Sequence, residues 1–412
     1  MRIRDSVTTA IGSLRTNATR AVLTILGIVI GITAIILVMA LGRGAQELIL
    51  DQVRAFGSES IFIEPGREPH GPADFAEIFT DSLTPRDVAA LERPGNVQDL
   101  EYLSPLVAQV ATVAYESETY RAQLRGASEH FPEILDVVPA TGTFFSRDDV
   151  ERRASVAVIG AKVADELFGS SDAVGAQVKV KGRPFRVVGV IARKGEASFI
   201  PYDELVVVPV TTAQKYLLGI DHYHVIAARA RTGANVDRVK EEITLTLREQ
   251  HGITDPEKDD FHVSTQQDAI DRIGVIATAL TALLTALAAI SLVVGGVGIM
   301  NIMLVAVAER TREIGLRKAI GARDADIRRQ FLLESIILTV AGGIIGVAIG
   351  ATLAFFAAFA LRHTVATGWS FTFPVFAALL GIGVSAAIGL IFGLYPAQKA
   401  ARKSPIEALR YE

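Results

Sequence analysis

The chain has 412 residues and a formal net charge of −4, and 50% of its residues are hydrophobic. Its mean hydropathy of +0.37 exceeds that of an ordinary soluble globular domain, so the composition predicts a membrane protein. The net negative charge argues against a nucleic-acid-binding protein, because binding a polyanion requires a basic surface. The absence of cysteine excludes disulfides, thiolate metal sites and cysteine nucleophiles.

Four apolar runs are long enough to cross a bilayer as helices, which takes about 20 residues. The first run is expected to be an uncleaved anchor, since it exceeds the roughly 7 to 15 residues of a signal-peptide core and "VMALGRG" is a poor cleavage site. The predicted order is a cytoplasmic amphipathic segment (1–20), span one (21–41), an extracytoplasmic domain with stalk ends (42–272), span two (273–308), a cytoplasmic segment (309–330), span three (331–361), a short outer loop (362–372), span four (373–394) and a cytoplasmic tail (395–412).

The orientation follows from the short segments that carry lysine and arginine, which tend to stay in the cytoplasm. Residues 1–20, 309–330 and 395–412 are all basic, whereas the loop 362–372 has one arginine and an interfacial Trp369. Both termini are therefore predicted in the cytoplasm of a multi-pass protein of the cell (cytoplasmic or inner) membrane. The type of cell envelope stays open.

The large outer segment is predicted to be α+β. Short β-branched runs such as "SIFIEP" and "ELVVVPV" indicate strands, and Val236, Val239, Ile243 and Leu247 fall on one face of a helix over 236–250. The stretch that follows Pro65 is rich in proline and glycine and is expected to be mobile.

Chemistry-bearing motifs are scarce in this chain. Asp221, His222 and His224 are weak evidence for a metal, because two histidines lack a clear third ligand. The sequence has no G-x-S-x-G elbow, no H-E-x-x-H and no G-x-x-x-x-G-K-[ST] loop. We therefore predict no catalytic residue, no metal site and no cofactor in this chain, and any nucleotide chemistry is assigned to a partner.

Small residues recur every four positions inside the spans, which favours close helix packing in lipid, within or between chains. The candidate packing residues are Gly27, Gly31, Gly342, Gly346, Gly350, Gly381, Gly389 and Gly393. Asn301 is the main polar side chain within a span, and no charged residue lies in the middle of one. A proton or ion relay through the bilayer is therefore disfavoured.

The segment 309–330 concentrates charge between two apolar runs. Its acids and bases are spaced for i,i+3 and i,i+4 ion pairs on a short helix, and Gly321 interrupts that helix. Ile314, Leu316 and Ile320 lie among these charges and could fill a groove on a partner; a solvated loop that touches lipid is the alternative. The candidate partner-coupling residues are Glu309, Arg310, Arg312, Glu313, Ile314, Leu316, Arg317, Lys318 and Ile320.

Several stretches resemble one family. "ERTREIGLRKAIGARDADIRRQFLLES" resembles the coupling segment of the MacB/FtsX/LolC-type ABC transporter permeases, and "LYPAQKAARKSPIEALRYE" resembles their C-terminal signature. "VAVIGAKVADELFG" and "VGAQVKVKGRPFRVVGVI" resemble parts of the extracytoplasmic domain of the MacB type. The resemblance covers most of the chain, although a fused ATPase domain, as in full-length MacB, has no counterpart in these residues.

The resemblance implies a permease that works as a dimer with two copies of a separate cytoplasmic ABC ATPase, on which ATP and Mg would be bound. It implies export driven by mechanotransmission, from a coupling helix through a stalk near Ile273 and residues 46–53 to the outer domain. A second permease copy, an extracytoplasmic adaptor protein and membrane lipid are the expected partners, and no nucleic acid is expected.

Other functions compete with this one. A lipoprotein-releasing permease has a similar topology and tail, and it would be favoured by a second permease subunit of different sequence. An FtsX-like regulator of a cell-wall enzyme would be favoured by hydrolase binding to residues 42–272. A membrane-embedded enzyme is disfavoured by the lack of buried catalytic side chains. Neither the substrate nor the choice between homodimer and heterodimer can be read from the residues.

Overall fold

The computed structural model describes residues 18–54, 57–67, 81–194, 201–364, 369 and 371–410. The amphipathic segment predicted for 1–20 and the Pro- and Gly-rich stretch after Pro65 lie almost entirely outside these residues. The chain divides into two compact units. We call Met1–Leu48 with Gly274–Glu412 the helical unit, and Ile49–Ile273 the sheet unit.

The sheet unit contains strands interspersed with helices, and the helical unit contains helices. The strands are β1 (Ser60–Pro65), β2 (Leu100–Tyr115), β3 (Glu118–Ala127), β4 (Pro139–Gly142), β5 (Val156–Ile159), β6 (Gln177–Val180), β7 (Arg183–Ile191), β8 (Leu205–Pro209), β9 (Val225–Ala230) and β10 (Phe261–Thr265). The helices are α1 (Ala18–Arg54), α2 (Pro85–Leu91), α3 (Phe131–Leu135), α4 (Arg147–Glu151), α5 (Ala161–Phe168), α6 (Val210–Thr212, continued by a π-helical turn over Ala213–Leu218), α7 (Val236–His251), α8 (Gln266–Glu309), α9 (Thr311–Ala319), α10 (Asp324–Thr364), α11 (Val375–Ala401) and α12 (Pro405–Arg410).

The sheet unit contains a closed ring of strands. Its strands follow the order β10-β1-β9-β2-β3-β8-β5-β7-β4, and β6 pairs with both β2 and β7. This second pairing closes β2, β3, β8, β5, β7 and β6 into a ring, which leaves no open edge among those six strands. Large side chains such as Phe185, Leu124 and Val187 are fully buried in this unit.

Helix α7 shows why local sequence determines part of this unit. The side chain of Asn235 accepts a hydrogen bond from the N–H of Arg238 and caps the N-terminus, and Gly252 ends the helix in the left-handed region. The predicted apolar face is buried at Val239, Ile243 and Leu247. Strands β9 and β10 on either side of α7 both pair with β1, so helix and strands form one layered unit.

Among the described residues, four helices are long and apolar enough to cross a membrane, namely α1, α8, α10 and α11. The mixed sheet lies between the first and the second of them, so the predicted fold class is confirmed. Helix α8 has 44 residues. At 1.5 Å per residue it is about 66 Å long, roughly twice the thickness of a hydrocarbon core.

Most of the candidate packing glycines lie where two helices approach closely. A Cβ atom on Gly27 would come within 2.9 Å of the Gly295 Cα, and one on Gly346 within 2.9 Å of the Ile32 Cβ. Gly342 and Gly350 likewise face α1, Gly381 approaches the Ile32 side chain more loosely, and Gly389 and Gly393 face α10. All these contacts are within one chain, so Gly346 and Gly389 are not free to pack against a second copy.

Candidate docking segment between the second and third long helices

The charged segment 309–330 folds as a short helix between two long ones. Helix α8 ends at Glu309 and α9 begins at Thr311, so the single residue Arg310 separates them. Gly321 ends it with φ near +103°, a conformation that side-chain-bearing residues rarely adopt. The N–H groups of Gly321 and Ala322 bond back to the carbonyls of Lys318 and Arg317, which satisfies the end of the helix.

Two arginines of this segment bond to side chains of α10. Arg310 lies 3.2 Å from the buried carboxylate of Glu334 on α10, and Arg317 donates to the Gln330 side chain at 2.8 Å. Arg317 also pairs with Glu313 within α9, as the i,i+4 spacing predicts. Sequence reasoning missed the first two contacts, although Glu334 is conspicuous as the one acid in an otherwise uncharged run.

The three apolar residues of the segment have different surroundings. Ile314 is 1% exposed and packs in the core of the helical unit, whereas Leu316 is 56% and Ile320 80% exposed. The prediction that all three face a partner therefore needs correction at Ile314, which the chain buries itself. Leu316 and Ile320 remain available: Leu316 projects from the side of α9 opposite the packed residues Thr311, Ile314 and Gly315, and Ile320 is the exposed C-cap residue that follows the helix.

The N-terminal half of α8, residues 266–287, has no buried residue. Ile290, Val294 and Asn301 farther along are exposed. Asn301 lies eight residues, about 12 Å, from the end of the helix at Glu309, which places an amide within the apolar run. A polar side chain at that depth is costly in lipid unless another polar group pairs with it.

The histidines of the sheet unit are held by neighbouring groups. His224 Nδ1 accepts a hydrogen bond from the N–H of Ala108 at 3.0 Å, and His222 lies 3.1 Å from Asp81. Within the described residues no group of three or more His, Cys, Asp and Glu side chains is arranged to hold a metal ion.

His251 is a buried charged group in the sheet unit. It lies at the C-terminus of α7, with Nε2 3.1 Å from Asp87 and Nδ1 2.7 Å from Asp260. The hydrogen bonds that the imidazolium donates to Asp87 and Asp260, together with the charge of both carboxylates, outweigh burial and raise the pKa of His251 to about 9. The same contact with His251 helps to lower the pKa of Asp87 against the opposing effect of burial. The imidazolium therefore ties α7 to α2 at neutral pH.

Family models match most of the chain. The MacB-like periplasmic core domain matches residues 21–245, and the FtsX-like permease C-terminal domain matches residues 285–405. The chain belongs to the MacB-like permease family. Helix α9 and the residues around it lie in the FtsX-like part of this MacB-like chain.

The relatives carry the same family name. The macrolide export ATP-binding/permease protein MacB of Bdellovibrio bacteriovorus is 37% identical over 97% of this chain, and that of Chlorobaculum tepidum is 36% identical over 100% of it. This chain covers 60% and 62% of the length of those two proteins. The solved periplasmic region of MacB from Actinobacillus actinomycetemcomitans aligns at 20% identity with a TM-score of 0.47, covering 55% of this chain and 97% of that one.

Proposed function

We propose that this MacB-like chain is the permease subunit of an ABC transporter and couples ATP hydrolysis by a separate cytoplasmic ATP-binding subunit to movement outside the membrane, for export. The relatives are named ATP-binding/permease proteins, and the matching family model is that of a permease. The 412 residues hold no P-loop motif, and the proposal places ATP hydrolysis on a separate subunit.

The single observation that carries the proposal is the exposure of Leu316 on α9 and of Ile320 at its C-terminal cap. Large apolar side chains on a short, charged helix suit an interface with an apolar centre and a polar rim. The basic residues of the segment keep it on the cytoplasmic side, where an ATP-binding subunit would reach it. Both termini then lie in the cytoplasm, and the sheet unit lies outside.

Helix α8 offers a path for mechanical coupling. It continues without a break from Gln266, next to β10, to Glu309, next to α9. A displacement of α9 by the ATP-binding subunit would therefore pass along one helix, since a helix transmits motion along its axis far better than a loop does. An extracytoplasmic adaptor is the corresponding partner on the outer side.

The exposed length of α8 favours a second copy of this chain as a further partner. Two such helices side by side would cover the apolar residues 275–287. They would also allow Asn301 of each copy to pair with a polar group, which lipid cannot offer. The proposed functional unit is thus a homodimer with two ATP-binding subunits.

A photocrosslinker at position 316, introduced in the native host, tests the docking role. We expect it to capture a protein with a P-loop motif, identified by mass spectrometry. Position 245 is a matched control, because Leu245 on α7 is 55% exposed and Leu316 is 56% exposed. Replacing Leu316 with Asp should then abolish stimulation of that ATPase by the permease, because the interface would bury an unpaired charge. If Leu316→Asp inserts normally and stimulates hydrolysis like the wild type, α9 is not the docking element.

A further inference from the structure

The tail of the chain packs directly on α9. Gly315, on the packed side of α9, faces Ala408 of α12 so closely that a Cβ on Gly315 would lie 2.5 Å from the Ala408 Cβ. Ala408 is fully buried. The two short helices therefore meet through their smallest residues, which brings their backbones close together.

Lys318 fastens the same two segments. Its ammonium group donates to the carbonyl oxygens of Ala401, at the end of α11, and of Lys403, the latter at 3.0 Å, and it pairs with Asp324 at 2.7 Å. A cation at the C-terminal end of a helix satisfies free carbonyls and interacts well with the helix dipole. The side chain is only 10% exposed, so these contacts are shielded from water.

Packing on α9 explains why the short segment α12 is helical. It has six residues, and an isolated helix shorter than about 12 residues is marginal in water. Its form depends on α9, so α9 and the tail behave as one two-helix platform. Among the side chains of this platform that the structure describes, the large apolar ones left exposed are Leu316, Ile320 and Ile406, and Ile406 is 73% exposed.

We propose that the tail helix α12 is the second half of the docking surface, and that Ile406 enters the ATP-binding subunit together with Leu316 and Ile320 of α9. This inference rests on the proposed function, because it names a further contact for the same partner. A single exposed isoleucine is common on protein surfaces. What distinguishes Ile406 is that α12 packs on α9 at Gly315, while Lys318 holds the residues just before α12 through the carbonyls of Ala401 and Lys403.

A photocrosslinker at position 406 in the full-length chain is expected to capture the same P-loop protein as one at position 316, with position 245 again as the control. With both proteins purified in detergent free of phospholipid, Ile406→Asp should weaken binding about tenfold. The variant should insert and unfold like the wild type, because the side chain it replaces is largely exposed.

The outcomes separate the two proposals. If position 316 crosslinks but position 406 does not, and Ile406→Asp binds like the wild type, the tail has no part in docking while the function of α9 stands. If neither position captures a P-loop protein, the proposed function itself fails. If Ile406→Asp weakens binding only in nanodiscs that contain anionic lipid, the tail contacts the membrane surface and the inference is overturned.

Discussion

The two units of this protein place their large and small apolar residues in opposite ways. In the sheet unit the interior holds Phe131, Phe185 and Phe261, and the large apolar side chains left exposed among its described residues are Val110, Val138, Tyr216 and Leu245. In the helical unit, nine of the eleven buried residues of α11 are glycine, alanine or serine. Isoleucines of α1 and Phe331 of α10 are buried in this unit, but many of its other large residues are exposed, such as Phe356 at 62% and Leu379 at 66%.

The difference reflects the solvent that each unit meets. In water, burial of large apolar side chains is the main driving force of folding, so the large apolar residues of the sheet unit lie in its interior. Lipid tails are as apolar as leucine, so a transmembrane helix gains nothing by hiding large residues and associates instead through close packing of small ones. The four predictions that follow test this contrast, from the largest expected effect to the smallest.

Truncating one phenylalanine in each unit compares them directly. Phe185→Ala should lower the free energy of unfolding of the sheet unit by about 3 to 5 kcal/mol, since it removes a buried ring and leaves a cavity. Phe356→Ala, at an exposed position of α10, should leave thermal unfolding in detergent nearly unchanged. Equal losses for the two variants would mean that the outward-facing residues of the helical unit stabilise it as a core does.

Enlarging a glycine tests the opposite side of the contrast. Gly346→Leu should destabilise the helical unit by about 3 kcal/mol, because the new side chain collides with Ile32 and the carbonyl of Val29. Gly383→Leu is the matched control, as Gly383 has no neighbour within 4 Å. The measurement is the melting temperature of the purified chain in detergent, and a Gly346→Leu protein that melts with the control would refute the packing role.

A pH titration tests the buried charge of the sheet unit. The folded pKa of His251, about 9, lies above its ordinary value of 6.5, so its stabilising effect is complete below pH 6.5 and is lost as the pH rises through 9. Its loss should lower the free energy of unfolding by about 3 kcal/mol. His251→Gln should flatten that part of the stability profile measured by urea unfolding. If stability falls between pH 6.5 and 9 as steeply in His251→Gln as in the wild type, the imidazolium does not tie α7 to α2.

Replacing Asn301 by leucine tests whether this exposed polar side chain of α8 contributes to dimerisation. Dimerisation measured by sedimentation in detergent should weaken by about 1 kcal/mol, the scale of a hydrogen bond between membrane helices. The melting temperature of the single chain should not fall, because Asn301 is exposed on it. Unchanged association would leave α8 without a polar contact to a second copy.

The residues of the charged segment show how far sequence reasoning reaches. The short helix, its interruption at Gly321 and the pairing of Arg317 with Glu313 follow from local rules of spacing and dihedral angle. The pairing of Arg310 with Glu334 and the contact of Gly315 with Ala408 join residues 24 and 93 positions apart. No periodicity in the chain predicts such pairs, because they depend on how helices cross. For the same reason Ile314 could not be told from Leu316 by its type.

Hydrophobicity, charge and turn-forming residues along the chain are sufficient for the four spans and the mixed domain between the first two of them, since each depends on a property of contiguous residues. The family is recognised separately, from the resemblance of whole stretches of sequence. Tertiary structure alone decides which glycines meet which helices, which of three apolar residues in α9 is covered, and where the tail packs. Helices of similar apolar composition can pack in several registers in lipid. The register is settled by distant side chains fitting together, such as Gly27 with Gly295, and that fit exists only in three dimensions.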